Sequence, residues 1–325
     1  MCIRDRSKND EIKSWVDNEV YELIDMRKHH VKNFVTGRWV LAVKQDKDGN
    51  FLKCKARWVL RGFQDRQKDE QQTDSPTATR PGFRLCCQLA ANHGWDIAHI
   101  DLKTAFLQGE KFDAQRDVVC QLPPESGLPS YIGARLVRPA YGLNDAPRRW
   151  WNKVDTALRA FGLIPARADR CCYVLYSDKT APHKAGRNTK QSSSGLLTQE
   201  AIDCAVDYLT DPVQGSPAKG RRTAGCLCLH VDDLFMVGDD EFKRRVIAKI
   251  KSTFSVGSED INTVEFVGQK VKWSGKNTQK GIAAHISVDQ NKAIDQLTEV
   301  PFDHNLKDDI ACSPHLHTQY RSVLG

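Results

Sequence analysis

The stretch Gly225–Gly238 constrains this chain more than any other: Gly-Cys-Leu-Cys-Leu-His-Val-Asp-Asp-Leu-Phe-Met-Val-Gly. It is the most apolar run in a polar sequence, and two adjacent carboxylates, Asp232 and Asp233, sit in its middle. A short apolar run bounded by glycines reads as buried β structure. Burying two like charges there is costly unless something cancels them. Asp favours tight turns, so the plain reading is a β-hairpin with Asp232 and Asp233 as its turn. The functional reading is that this turn presents both carboxylates to a divalent cation. Choosing between them requires the remaining parts of a site from elsewhere in the chain.

A chain of 325 residues is long enough for two or three subdomains. Charged residues at 27% and hydrophobic ones at 40% suit a globular protein rather than a disordered one. A net charge of +7 favours an anionic partner, nucleic acid being the commonest. None of the 11 cysteines is spaced as Cys-x-x-Cys, so they read as small core residues in a reducing compartment. No window approaches 18 consecutive apolar residues, so no transmembrane helix is expected. Met1–Arg6 is too short and charged for a signal peptide and reads as a translated adapter remnant, left out of the fold.

Taken in order, residues 9–26 read as a helix capped by Asn9 or Asp10, with Ile12, Trp15, Val16, Val20 and Leu23 as its apolar stripe. Gly37–Lys44 and Phe51–Arg61 read as a hairpin turning at Asp48-Gly49. Lys53, Lys55, Arg57 and Arg61 share one strand face, which suits phosphate or simply solvent. Residues 64–82 read as loop, 83–93 as a helix stopped by Gly94, and 95–101 as a strand ending in Asp101. A turn or short helix then runs to Gly109. Residues 118–122 and 171–176 read as short strands, and Ala134–Arg138 follows a loop. Asp145 is placed to cap a helix carrying Trp150, Trp151, Val154, Leu158 and Phe161 on one face, with Gly162 as its stop. The two tryptophans read as core rather than as base-stacking platforms. Residues 177–224 read as a polar surface insertion with a short helix at 198–209. After the hairpin come an amphipathic helix over 240–254, strands within 264–273 and 282–287, and a helix at 288–297.

If the strand ending in Asp101 neighbours the Asp232-Asp233 hairpin, three carboxylates converge, and a pair of Mg²⁺ ions is the usual answer. The cationic hairpin face would then hold a triphosphate. Spacing alone also permits a two-metal nuclease.

The motifs, in this order, resemble the reverse transcriptase of copia-type LTR retrotransposons. They are Trp39-Val40 with Lys55–Phe63, Asp101–Gly109, Tyr141–Leu143 with Ala146–Trp150, Val231–Asp233, Phe266–Gly268, and Ser313-Pro314 with Tyr320–Ser322. The resemblance implies an α+β right-hand polymerase fold: fingers, an antiparallel-sheet palm with helices on one face, and a partial thumb. It divides the chain into an artefactual or disordered 1–8, fingers 9–95, palm 96–114, a fingers-to-palm passage 115–147, palm 148–176, the insertion 177–224, palm 225–256, and thumb with the start of a connection 257–325.

The resemblance also implies roles. Asp101 and Asp232 would ligate two Mg²⁺ ions, with Mn²⁺ as a substitute, and Asp233 would support that catalytic metal site. Lys55 and Arg57 would contact the incoming deoxynucleoside triphosphate, Tyr141 and Gly142 would line its pocket, and Phe106 would exclude a ribose 2′-hydroxyl. His230, Phe266 and Gly268 would meet primer or template. The implied partners are an RNA or DNA template with primer and the RNase H and integrase parts of the same polyprotein, with no membrane. The implied setting is a cytoplasmic retrotransposon particle or the nucleus, and the chain is expected to be a piece of that polyprotein. Three departures stand out. The family usually has Tyr where this chain has His230, and Lys-Gln where it has Asn144-Asp145; the 177–224 insertion is longer than usual. An acid beside a triphosphate site would oppose binding. The alternative reading is a catalytically inactive retroelement remnant that binds nucleic acid.

Overall fold

The computed structural model describes residues 3–45, 50–180, 221–275, 285–291 and 294. The Asp48-Gly49 turn, the helix expected at 198–209, most of that expected at 288–297, and the Ser313–Ser322 motif lie outside the described residues. The chain begins with α1 (Ile3–Asp17), β1 (Tyr21–Asp25), β2 (Phe34–Val35), β3 (Gly37–Gln45) and β4 (Phe51–Leu60). There follow α2 (Arg80–His93), β5 (Asp96–Leu102), β6 (Val119–Cys120), β7 (Ile132–Leu136), α3 (Ala146–Ala160), β8 (Ile164–Pro165) and β9 (Cys172–Thr180). Next are β10 (Arg221–His230), β11 (Asp233–Gly238), α4 (Asp240–Phe242), a π turn (Lys243–Ile247) and α5 (Ala248–Thr253). The last are β12 (Val256–Ile261), β13 (Thr263–Phe266), β14 (Gln269–Ser274) and β15 (His285–Asp289). The fold is α+β.

The apolar run becomes β10 and β11, at the centre of a six-stranded antiparallel sheet of order β12-β5-β11-β10-β9-β8. Because almost every residue of that run is apolar, both of its faces need cover; burying one Leu or Phe gains about 1.5–3 kcal/mol. On one face Ile100, Leu102, Leu227, Leu229, Leu234 and Met236 pack against Trp150, Val154 and Leu158 of α3 and against Phe242, Val246 and Ile250. On the other face Ile97, Cys226, Cys228, Phe235 and Val237 pack against Phe83, Cys86 and Leu89 of α2 and Phe266 of β13. Helices therefore cover both faces, not one. The strand alternation requires it: neither parity of the run is polar.

A third core joins Trp15, Trp58 and Leu60 to Val118, Cys120, Leu136 and Leu143. It seats the β3–β4 hairpin, whose buried parity is Ala56, Trp58 and Leu60, leaving Lys53 and Lys55 exposed and Arg57 half-buried. Seven described cysteines are buried and unbonded, as expected of small core residues, with Cys228 Sγ 3.3 Å from both Cys86 and Cys172.

The first helix departs from its expected bounds. The helix is α1, which begins inside the stretch set aside as an adapter remnant, and Lys8 at its middle pairs with Glu125 at 2.5 Å. It ends at Asp17 rather than 26, because Glu19 turns the chain at φ 51° and Tyr21–Asp25 pairs with β7. Val20 and Leu23 fit a helical period, yet Val20 is buried while Leu23 lies 52% exposed on β1. The strands β2 and β12 carried no sequence signal; β12 is polar and mostly exposed, held to β5 by its backbone.

Candidate active site

The site forms where β5 and β11 end together. Asp233, the first residue of β11, stands directly across from Asp101. The hairpin turn is Val231-Asp232, not Asp232-Asp233, because His230 and Asp233 are already a cross-strand pair. Val231 takes φ 56°, a left-handed conformation costly for a β-branched residue. Two hydrogen bonds hold it there. Trp150 Nε1 of α3 donates to the Val231 carbonyl at 2.7 Å, and the Leu102 amide donates to the Asp232 carbonyl at 2.9 Å. Trp150 is thus core, as expected, and also a pin beneath the turn.

Burial raises the Asp232 carboxyl above its ordinary value, and repulsion from Asp233 and Asp101 adds to the rise. Lys55 of β4 shares this field. Partial desolvation beside the hairpin, with Arg57 and Lys44 close by, lowers its ammonium, while Asp101 and Asp232 pull it back up. The cationic hairpin and the paired acids therefore lie within electrostatic reach of each other. Asp101 itself leans over β12: a β-bulge sits at Gly257, where an added Cβ would overlap Asp101 Oδ2.

The second cluster joins β4 to the segment before α3. The Arg57 guanidinium lies 5.1 Å from the Tyr141 ring centre, and the Phe106 ring 5.7 Å from it. Phe106 reaches this place from β5 through Thr104 at φ 48° and a 3-10 turn at Ala105–Gln108. Burial drives the Tyr141 hydroxyl well above its usual value, with Glu11 and Asp232 contributing. The Leu60 amide donates to the Tyr141 carbonyl at 2.8 Å. Gly142, at φ 92°, makes that approach feasible: a Cβ there would overlap the Leu60 carbonyl.

The residues expected at the primer divide. The His230 ring lies 6.3 Å from that of Phe266, but Phe266 is 2% exposed and packs on Phe83 and Phe235. What reaches solvent is its turn, with Val267 half-exposed and Gly268 at φ 71° facing open space.

The acid at Asp145, expected to be unfavourable, is buried. Asp145 does occupy the position before α3 but makes no capping hydrogen bond. Its carboxylate is 2% exposed and accepts from Arg116 Nη2 at 3.1 Å and Arg149 Nε at 2.8 Å. Arg116 in turn donates to Asp65, which also accepts from Asn33 at 2.8 Å. The expectation that Asp145 opposes an incoming triphosphate is therefore corrected: its charge is spent inside a buried network. Nothing in the spacing of residues 33, 65, 116 and 145 announces that network. The other missed residue, His99, was within reach of sequence reasoning. It lies two positions before Asp101 on one strand, so it shares that residue's face. Its Nε2 is 3.0 Å from Asp233 Oδ1. Burial alone would lower its pKa, but Asp233 and Asp260 outweigh burial and hold it above the usual histidine value.

Fold and site define an α+β domain that gathers acids at one end of an antiparallel sheet, beside a cationic hairpin and an aromatic pair. The family model described as reverse transcriptase (RNA-dependent DNA polymerase) matches residues 18–181, and the chain belongs to that family, in its copia type. The match spans Lys55, Asp101, Phe106 and Tyr141 and stops short of β10–β11; the sheet register is what sets Asp232 and Asp233 beside Asp101. The chain is 30% identical over 174 residues to the Retrovirus-related Pol polyprotein from transposon RE1 of Arabidopsis thaliana, covering 52% of this chain and 12% of that one. It is 28% identical over 171 residues to the Retrovirus-related Pol polyprotein from transposon TNT 1-94 of Nicotiana tabacum, covering 52% and 12%. The matched part is thus about an eighth of each relative's length.

Reverse transcriptase domains generally use divalent metals. Among the described residues no group of three or more His, Cys, Asp or Glu stands close enough to hold a metal. Mg²⁺ does not need one, since it keeps several waters and takes further oxygens from substrate phosphates beside one or two carboxylates. Asp101 and Asp232 provide two hard oxygen donors, and the raised Asp232 is a carboxyl whose ionised form a cation would favour. The donor set fits Mg²⁺.

Proposed function

We propose that this chain extends a primer 3′ end with deoxynucleoside triphosphates on an RNA or DNA template, by two-metal-ion nucleotidyl transfer. The observation that carries the reading is the register that sets Asp233 opposite Asp101 with the Asp232 carbonyl tied to Leu102. Asp101 and Asp232 would hold two Mg²⁺ ions, and Asp233 would support that site. Metal bound there would supply Lewis-acid activation of a primer hydroxyl and neutralisation of charge on a departing pyrophosphate. Lys55 and Arg57 bind the triphosphate, where a cation facing developing charge stabilises transfer. Tyr141 and Gly142 line the nucleotide pocket, and Phe106, its ring tilted at 59° to that of Tyr141, closes the space a ribose 2′-hydroxyl would need. His230 and the Val267–Gly268 turn, backed by Phe266, meet primer or template.

In this reading β3–β4 is the fingers hairpin, the six-stranded sheet the palm, and the β13–β15 region leads into the thumb. The chain acts within a Pol polyprotein beside RNase H and integrase parts, in a cytoplasmic particle or in the nucleus. The test is primer extension on a homopolymeric RNA template with Mg²⁺, repeated with Mn²⁺. Extension by the wild type and none by Asp232→Asn is expected. Equal incorporation by both proteins refutes the reading.

A further inference from the structure

We infer that His99 is a positioning residue: its imidazole holds the Asp233 carboxylate, leaving Asp101 and Asp232 as the acid pair open to the cations. The inference rests on the proposed polymerase reading and adds a residue to it. An ionised carboxylate only accepts hydrogen bonds, so His99 Nε2 is the donor at 3.0 Å to Asp233 Oδ1. The contact is diagonal across two paired strands: His99 faces Phe235 in the register, while Asp233 faces Asp101.

His99 cannot readily turn away. Its side chain is 7% exposed, its ring packs against that of Phe266 at 6.3 Å, and Nδ1 lies 3.7 Å from Asp260 Oδ2. Asp260 on β12 and Asp233 on β11 therefore flank the imidazole from the two strands paired with β5. Three carboxylates converging without such a clamp would compete for one cation. Among the described residues Asp101, Asp232 and Asp233 form no group of three able to hold one metal. A fixed partner on a carboxylate near a metal typically changes metal affinity or activity by about 10–100-fold when removed.

The experiment compares the wild-type 325-residue chain with His99→Gln, His99→Asn, Asp233→Ala and Asp233→Ala/His99→Asn. A Gln amide reaches about where Nε2 lies, and an Asn amide only to where Nδ1 lies. Two readouts are taken: primer extension with kcat separated from KM for the nucleotide, and Mn²⁺ affinity without substrate by electron paramagnetic resonance. Circular dichroism confirms folding, and the Gln variant carries the comparison if Asn fails to fold. His99→Asn is expected to lower kcat and Mn²⁺ affinity by about tenfold or more with nucleotide KM little changed. His99→Gln should recover most of both. In the Asp233→Ala background His99→Asn should have no further effect, since a residue acting through another shows full coupling.

Wild-type Mn²⁺ affinity and kcat in His99→Asn would overturn the inference, as would an equal loss with Asp233 already removed. So would a folded His99→Gln that falls as far as alanine at Asp233 does. If the wild type binds Mn²⁺ but extends no primer, the polymerase reading fails, and the Mn²⁺ comparison alone decides on His99.

Discussion

Replacing Asp145 separates the two accounts of that residue. If its carboxylate faced an incoming triphosphate, Asp145→Asn would strengthen nucleotide binding and leave stability alone. The structure demands the reverse. Asp145 accepts three hydrogen bonds, from Arg116 Nε at 3.3 Å, Arg116 Nη2 at 3.1 Å and Arg149 Nε at 2.8 Å. The Arg116 side chain is 1% exposed, so removing an acid beside it strands part of a buried positive charge. Breaking a buried pair by removing one partner costs about 3–5 kcal/mol. Arg116 keeps Asp65, so the lower end applies, about 3 kcal/mol for Asp145→Ala. Asp145→Asn keeps acceptor capacity and should lose less. Urea unfolding reads the change as a shift in midpoint at constant slope. Nucleotide KM should stay the same or rise, because Leu143 and Tyr141 sit just before the network. An Asp145→Ala protein within about 0.5 kcal/mol of wild type, the usual range for an exposed surface substitution, and with a lower nucleotide KM would refute the reasoning.

Trp150→Phe keeps most of the buried ring volume but removes the donor to Val231, so the strained turn loses a pin. The expected loss is about 1–2 kcal/mol of stability together with a fall in kcat, measured by chemical unfolding and primer extension. Glu11 gives a pH signature. Burial raises its carboxyl above the ordinary 4.5, while Trp15 Nε1 and the Trp58 amide donate to it. An acid whose folded pKa is raised costs no stability below its unfolded value and an increasing amount as pH rises through the folded one. Glu11→Gln keeps the acceptor, so its stability relative to wild type should be unchanged below the ordinary 4.5 and should improve as pH rises above it. A flat difference across that range would count against the buried charge.

Local sequence pattern alone set the central hairpin, the helix stops and the acids. Glycine-bounded apolar residues made Gly225–Gly238 a buried hairpin, and period-two parity put Lys53 and Lys55 on the exposed side of β4. Gly94 and Gly162 stopped their helices, each at positive φ. Those are local effects, decided within a few residues by sterics and hydrophobic alternation, so they are legible without knowing what lies opposite. The tertiary structure decided everything that depends on which segments meet. It ended the first helix at Asp17 because Tyr21–Asp25 had a strand partner more than a hundred residues away. It covered the central sheet on both faces, turned Asp145 inward to Arg116, and set His99 against Asp233. Long-range pairing of charges leaves no periodic mark in a sequence, because the residues that neutralise one another are chosen by packing and not by spacing.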